Sequence, residues 1–465
     1  MNKPARNALF LFGGEGASRL LGFLTAAVLA RRVGVDGFGQ IGFATAILAY
    51  GMVITDFGLV SLGTREMARD KSRAQQLAGS VLSLRLALAV SAAILMVAFA
   101  AVLPKPASVK WLLSAYALAA VAQSVLLEWV FIGAEQTAWV SFSRVATNLS
   151  YFVLVLQLVR SPRQILLVPV SFAVAMVAGV LMLLVVFARH WHRPTLNFDL
   201  REWRRLLTSA WPIGMGTVVS QLHVNFGMVG LGLLTTDIQT GIYAAAYRLV
   251  FFFMTLDRIF YTVFLPAATR YVAQQRERLA TLTGTATRLV LAVALPLCLG
   301  LAILAQPAVT LVFGRSYASA APALRVLVWF LLLSMLNSLT GYTLIAAGLE
   351  RRFLRNITIG ATFSLVLNVA GILTMGALGA AGATVIGEGI ILFFMAADFL
   401  KLVRPQLGIS TLVPVMATGV MAAVCLLLLR FGVALSVSAA AVVYVALLLG
   451  MRGVTAGDLG LVRSR

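Results

Sequence analysis

Glu15 and Arg19 stand four residues apart inside the first long apolar run of the chain. That spacing is one helical turn, so the acid and the base share a face. Arg19 lies some eleven residues into the run, about 16 Å deep at 1.5 Å per residue. A charge at the centre of a membrane helix costs roughly 2.5–3.5 kcal/mol on insertion scales. Two readings follow. The pair neutralises itself and fixes helix packing, or it lines an aqueous cavity in which Arg19 meets an anion while Glu15 tunes it or carries a proton. A second group sits in a later run. Arg248 lies about nine residues from one end of it, and Asp257 and Arg258 are adjacent, so they point in different directions. Arg248 and Arg258 return to within about 80° of each other on a helix and share a broad face. Arg19, Arg248 and Arg258 are therefore candidate cations for an anionic substrate, with Glu15 and Asp257 as candidates for ion coupling or for tuning those cations.

Other intramembrane polar groups have a stronger structural reading. SQLHVNF carries Gln221, His223 and Asn225 near mid-depth. A lone histidine there is usually a hydrogen-bonding link between helices, with a substrate or proton role for His223 and Asn225 as the functional alternative. Glu388, within IGEGI, is either a neutral acid buried by close helix approach or an ion-coupling group. Asn337 and Asn368 read as hydrogen bonds between helices. Asp56, Arg85, Glu128, Asp398 and Arg325 lie near the ends of their runs, where long side chains reach the interface, and read as interface anchors or helix-end pairs.

The elements that hold these residues are apolar helices. Of 465 residues 61% are hydrophobic and 11% charged, and the mean hydropathy is +0.96. A soluble protein of this size needs far more polar surface. Runs of about 20 apolar residues, the length that crosses a bilayer, recur at 8–30, 41–62, 79–103, 111–132, 145–159, 164–187, 208–234, 239–264, 289–313, 323–347, 357–375, 380–400, 411–429 and 433–451. The runs are continuous rather than alternating, which excludes a transmembrane barrel. The fold class is an all-α polytopic membrane protein with about 14 transmembrane helices. Lys3 and Arg6 before the first run imitate a signal peptide, but Glu15 and Arg19 interrupt its apolar region, so it reads as a retained span.

The net charge of +21 would suggest nucleic acid in a soluble chain. Here the bases lie between spans, and no aromatic-plus-basic nucleic-acid module is present. With a cytoplasmic N-terminus, eight of the 37 Lys and Arg fall outside: Arg31, Arg32, Lys105, Lys110, Arg160, Arg163, Arg315 and Arg430. About three times as many fall inside, in RDKSR at 69–73, ARHWHRP at 188–194, REWRR at 201–205 and other connections. That asymmetry predicts both termini in the cytoplasm. The basic connection at 188–207 divides the chain into an N-terminal lobe of spans one to six (1–187) and a C-terminal lobe of spans seven to twelve (208–400). Two further spans and a cytoplasmic tail follow (401–465). VGVDGFGQIGFA at 33–44 and TTDIQTGIYAAA at 235–246 open equivalent helices, each with an Asp and then a Gly. Six spans per lobe give both copies one orientation, hence a pseudo-twofold axis along the membrane normal with the binding site between lobes.

The loops are too short for a soluble catalytic domain. No phosphate-binding Gly-Lys-Ser/Thr loop is present, His190, His192 and His223 form no metal pattern, and Cys298 and Cys425 read as small buried hydrophobes. No enzyme, cofactor or metal is expected.

At this point the chain resembles a known family. ARRVGVDGFGQ at 30–40 with TDFGL at 55–59, LEWVFIGAEQ at 127–136, TGIYAAAYRLV at 240–250, FLPAATRYVA at 264–273, NSLTGYTLIAAGLERRFL at 337–354 and GALGAAGATVIGE up to 388 are similar, in order and spacing, to the O-antigen and exopolysaccharide flippases. These belong to the multidrug/oligosaccharidyl-lipid/polysaccharide exporter superfamily. The resemblance covers most of residues 8–400. It departs in mid-span seven, where the family often carries an Asp and this chain has His223, Val224, Asn225, Phe226 and Gly227. What it implies is a flippase of the bacterial inner membrane. Such a protein moves a polyprenyl-diphosphate-linked oligosaccharide from the inner to the outer leaflet by alternating access, for surface polysaccharide assembly. The membrane potential or a proton or sodium gradient would drive it. Membrane lipids surround it, the polysaccharide polymerase and other assembly proteins are candidate partners, and a monomer is expected. A lipid II flippase, a multidrug antiporter of the same superfamily, and a membrane glycosyltransferase or ligase are the rivals. The antiporter would need an acidic cavity, and the ligase a large outer loop.

Overall fold

A computed structural model describes residues 3–191, 195–274, 276–451 and 453. His192 and Arg193 of the basic connection, and the tail from 454 onward, lie outside them. Seventeen α-helices occur among the described residues: α1 (Lys3–Asp56), α2 (Leu59–Arg69), α3 (Ala74–Val102), α4 (Ala107–Ser124), α5 (Glu128–Gly133), α6 (Thr137–Leu158), α7 (Leu167–Trp191), α8 (Leu200–Leu234), α9 (Asp237–Phe253), α10 (Thr255–Gln274), α11 (Arg276–Ile303), α12 (Ala305–Phe313), α13 (Ala321–Leu327), α14 (Trp329–Ala346), α15 (Glu350–Leu402), α16 (Val413–Leu428) and α17 (Val433–Gly450). Among the described residues, twelve helical stretches are long and apolar enough to cross a bilayer. Two of them are too long for one crossing. The 54 residues of α1 would reach about 80 Å if straight, against a hydrocarbon core of about 30 Å.

Each of these two helices turns back at a glycine. In α1 the break is Gly34, at φ 75° and ψ 178°, a region essentially closed to residues with a Cβ. In α15 it is Gly376, at φ 56° and ψ −129°. Each therefore supplies two spans, and the described residues hold the expected fourteen. The protein is a multi-pass helical membrane protein.

The chain folds as two compact units, Met1–Ala244 and Ala245–Arg465. In the first, α1 packs against α3, α4, α6 and α8. Its largest buried side chain is Trp129, in a core with Leu59, Met67, Phe131 and Phe187. The segment LEWVFIGAEQ thus serves as packing: α5 docks on α2, with the Trp129 ring against Gly63. In the second unit α14 packs on α10, α11 and α15, and α16 lies between α11 and α17. Phe264, Leu279, Leu282, Leu339 and Phe399 form one core there, and Met421, Cys425 and Tyr444 another. Cys298 and Cys425 are free and buried, as expected.

The two look-alike segments meet inside the first unit. A Cβ on Gly39 would overlap the Asp237 carbonyl oxygen, and one on Gly241 would overlap the Val35 carbonyl oxygen. A Cβ on Gly42 would lie 3.2 Å from that of Ala244. The pairs 35/237, 39/241 and 42/244 share one offset along the chain. Reciprocal contacts of this kind are what a local twofold axis produces.

Candidate functional site

In the first unit the deep charges form one chain of ion pairs. Arg19 Nε donates to Glu15 Oε1 at 2.8 Å. The other oxygen of Glu15 accepts from Arg144 Nη1 at 2.7 Å. Arg144 in turn grips Glu128, with Nη2 2.6 Å from Oε2 and Nε 3.0 Å from both oxygens. The side chains retain 18% exposure at both glutamates and about 30% at both arginines. The four charges sum to zero, which makes their placement at this depth affordable.

The order of the chain separates two roles. Arg144 uses all three of its nitrogens on carboxylates, so it is a clamp joining α1, α5 and α6. Arg19 uses only Nε, and its two terminal nitrogens make no hydrogen bond among the described residues. That planar fork is the geometry that grips phosphate or carboxylate bidentately. Arg144 does not stand out in the sequence. The fifth apolar run begins there at 145, which places Arg144 in a cytoplasmic connection. The helix instead begins at Thr137, following Glu135 at φ 63°, and sets Arg144 two turns inside. The signal lay in TAWVSFS, whose Trp139 and Phe142 are exposed on the helix surface. Glu128 is a helix-end pair, but with the deep network rather than the interface. Arg85 is no interface anchor: it is 4% exposed and donates to the Leu126 carbonyl at 3.1 Å.

His223 is buried in α8, and Asn225 spends its amide on Gln221, at 2.7 Å to Oε1 and 3.2 Å to the carbonyl oxygen.

In the second unit Arg248 projects from α9 as an exposed side chain, without hydrogen bond or ion pair among the described residues. It lies eleven residues past Asp237, about 16 Å along the helix. Its neighbour Tyr247 stacks on Phe251 at 3.9 Å. Arg258, one turn into α10, is also exposed and acts electrostatically on Asp257 and Tyr342. Asp257 hydrogen-bonds Ser338 of α14 and lies within electrostatic range of Glu388 of α15. Glu388 is 6% exposed and accepts from Asn337 Nδ2 at 2.8 Å. Half-buried Asp257 and Ser338 and buried Asn337 and Glu388 thus form one oxygen-rich cluster. Asn337 forms the interhelical bond expected of it. Asn368 does not: it bonds Ser364 one turn back in its own helix, at 2.9 Å to the carbonyl oxygen. Asp398 pairs with Arg355 at 2.7 Å and Asn356 at 3.0 Å near the end of α15.

Comparison with known proteins adds the following. A family model described as polysaccharide biosynthesis protein matches residues 5–266. The "Putative O-antigen transporter" of Escherichia coli (strain K12) is 23% identical over 248 residues, which is 52% of this chain. The match spans 59% of that relative, less than two thirds of its length. Among solved structures, the lipid II flippase MurJ in an inward closed conformation has a TM-score of 0.76 at 15% identity, covering 95% of this chain and 98% of that one. An inward-facing multidrug resistance MATE family transporter of the MOP superfamily has a TM-score of 0.63 at 16% identity, covering 83% and 95%. At such identities the likeness is one of fold, the two-lobe fold of those transporters.

Proposed function

From the premise that the chain belongs to the polysaccharide biosynthesis protein family, we propose that it is a flippase for polyprenyl-diphosphate-linked oligosaccharide. It carries the repeat unit from the inner to the outer leaflet of the bacterial cytoplasmic membrane, by alternating access and without covalent chemistry. The family and the fold favour a transporter over an enzyme. The observation that carries the reading is the pair of deep arginines with uncommitted donors. Among the described residues, Arg19 keeps its fork open and Arg248 is exposed and without hydrogen bond or ion pair in the middle of a span. An unpaired arginine facing lipid at that depth is costly, so in this reading each side chain meets polar surroundings and an anion. A diphosphate supplies that anion. Arg258 is a further cation of the path. Glu15 orients Arg19, while Asn225 spends its amide on Gln221 within α8.

Two phosphate charges moving outward across 100 mV gain about 5 kcal/mol, at about 2.3 kcal/mol per charge. The membrane potential can therefore drive the step. The Asp257–Glu388 cluster is where a proton or sodium ion would couple to it. Both termini face the cytoplasm in this reading, the protein works as a monomer, and a polysaccharide polymerase takes over its product. The basic character of the open groups disfavours a drug-cation antiporter.

The test is sidedness in a deletion strain. Complete lipid-linked oligosaccharide should accumulate facing the cytoplasm, out of reach of a glycan-modifying enzyme added to the periplasmic side. Accumulation on the outer face would place the missing step after translocation and overturn the reading.

A further inference from the structure

The connection between α7 and α8 is built with two unlike faces. Its inward groups are tied to α3. The Ser83 hydroxyl donates to the Asn197 carbonyl oxygen, Trp203 Nε1 donates to Ser83 Oγ at 3.1 Å, and the backbone at Thr195 packs directly on Gly79. Asp199 caps α8 by accepting from the Arg201 backbone N–H at 2.8 Å. The residues between these ties face away. Leu196 is 50% exposed, Phe198 61% and Leu200 73%. Three large apolar side chains, every second residue, are thus held outward by a segment whose alternate residues are anchored. Arg189, Arg201, Arg204 and Arg205 are exposed beside them, against Asp199, which is used in the cap, and Glu202, which pairs with Arg205 at 3.6 Å. Phe198 touches Trp203, their ring centroids 6.0 Å apart, and still leaves more than half of its surface open.

We infer that residues 196–205 form an interfacial anchor that inserts Leu196, Phe198 and Leu200 at the headgroup–acyl boundary and sets the neighbouring arginines on anionic phospholipid. The occupant follows from place and charge. The segment joins two membrane spans, so its free face meets the bilayer surface at once. An apolar row beside an arginine excess is the pattern of an anionic-lipid surface element. The inference rests on the membrane-spanning fold and is independent of the substrate carried. Its consequence is a protein whose central connection is held in the plane of one leaflet, with a demand for acidic lipid there.

The experiment uses the full chain reconstituted in vesicles, with a spin label on Leu196→Cys or Phe198→Cys. The native Cys298 and Cys425 are buried and are left in place, with the unsubstituted chain as labelling control. In vesicles containing phosphatidylglycerol the label should be reached by oxygen and shielded from a water-soluble nickel chelate. Insertion should weaken in pure phosphatidylcholine. It should also weaken in the Arg201→Gln/Arg204→Gln variant, by roughly fivefold in partition per arginine. All these side chains are exposed, so folding is checked by unchanged thermal unfolding. A label open to the nickel chelate in both lipids overturns the proposal and points to a soluble protein partner for this face. A label shielded from both reagents overturns it as well, by placing the segment inside protein. Insertion that ignores lipid charge and both substitutions refutes the anionic-lipid assignment.

Discussion

Arg144→Gln should unfold the first unit far more readily than Arg19→Gln, although the two arginines serve one network. Arg144 makes contacts of 2.6 to 3.0 Å with Glu128 and one of 2.7 Å with Glu15. Its removal leaves two carboxylates, each about 18% exposed, with Arg19 still bonded to Glu15 and Arg85 within electrostatic range of Glu128. Deleting one partner of a buried pair costs about 3–5 kcal/mol. The residual exposure argues for the lower end, so about 3 kcal/mol, or roughly a hundredfold in the unfolding equilibrium at 1.4 kcal/mol per decade. Arg19→Gln removes one contact from Glu15, which keeps Arg144, and resembles the loss of a helical i,i+4 pair worth about 0.5 kcal/mol. Adding Glu128→Gln to Arg144→Gln neutralises the stranded acid and should restore about 2 kcal/mol. The measurement is reversible unfolding of purified protein in mixed micelles, run as a double-mutant cycle. Activity, read as surface polysaccharide, should show a different order: Arg19→Gln loses it while the protein persists in the membrane. Equal destabilisation by the two arginine substitutions, or no coupling between Arg144 and Glu128, would refute the division into clamp and open fork.

Other outcomes follow from the same geometry. Gly39→Ala or Gly241→Ala drives a methyl group into a backbone carbonyl and should cost about 3 kcal/mol, at the upper end of overpacking; wild-type thermal unfolding in either variant would count against the reciprocal contact. Lys105 and Asp237 pair at 2.7 Å and are only 13% and 12% exposed. Lys105→Met should therefore destabilise by about 3 kcal/mol, and Lys105→Met/Asp237→Asn should recover most of it. Arg32 Nη1 donates to the Val155, Leu156 and Val159 carbonyls at the end of α6, at 3.1, 2.7 and 2.8 Å. Arg32→Met should cost about 1–2 kcal/mol, measured as lost amide protection in the last turn of α6. Arg248→Gln should abolish surface polysaccharide at normal protein levels; full export in that variant would remove Arg248 from the path.

The span architecture was legible because the bilayer leaves few options. Apolar runs of fixed length separated by charge give helices of fixed number. The places where the sequence misled have definite causes. At Gly34 and Gly376 one helix ends and the next begins with no loop between them, so the connections there are shorter than a turn-based reading expects. Arg144 was assigned to a loop because its helix begins with small and aromatic residues that raise little hydropathy. Glu15 and Arg19 could be paired from spacing alone, since one turn is a local relation. The hold of Arg144 on Glu128 could not, because it joins α6 to α5 through tertiary packing. The exposure of Arg248 and the self-pairing of Asn368 are likewise facts of which way a helix is rotated, which composition does not encode.

The reversals at Gly34 and Gly376 bear on how this chain can be handled. Most helical hairpins offer a loop in which a reporter enzyme, an epitope or a protease site can be spliced. Here two of the fourteen-span chain's connections consist of a single left-handed glycine flanked by helix. A fusion at either point would have to unwind a turn on each side, and an accidental codon change there would meet a conformation that no other residue adopts cheaply. Sidedness mapping should use the connections at 103–106 and 429–432 instead, where the chain leaves regular α-helix before the next span begins.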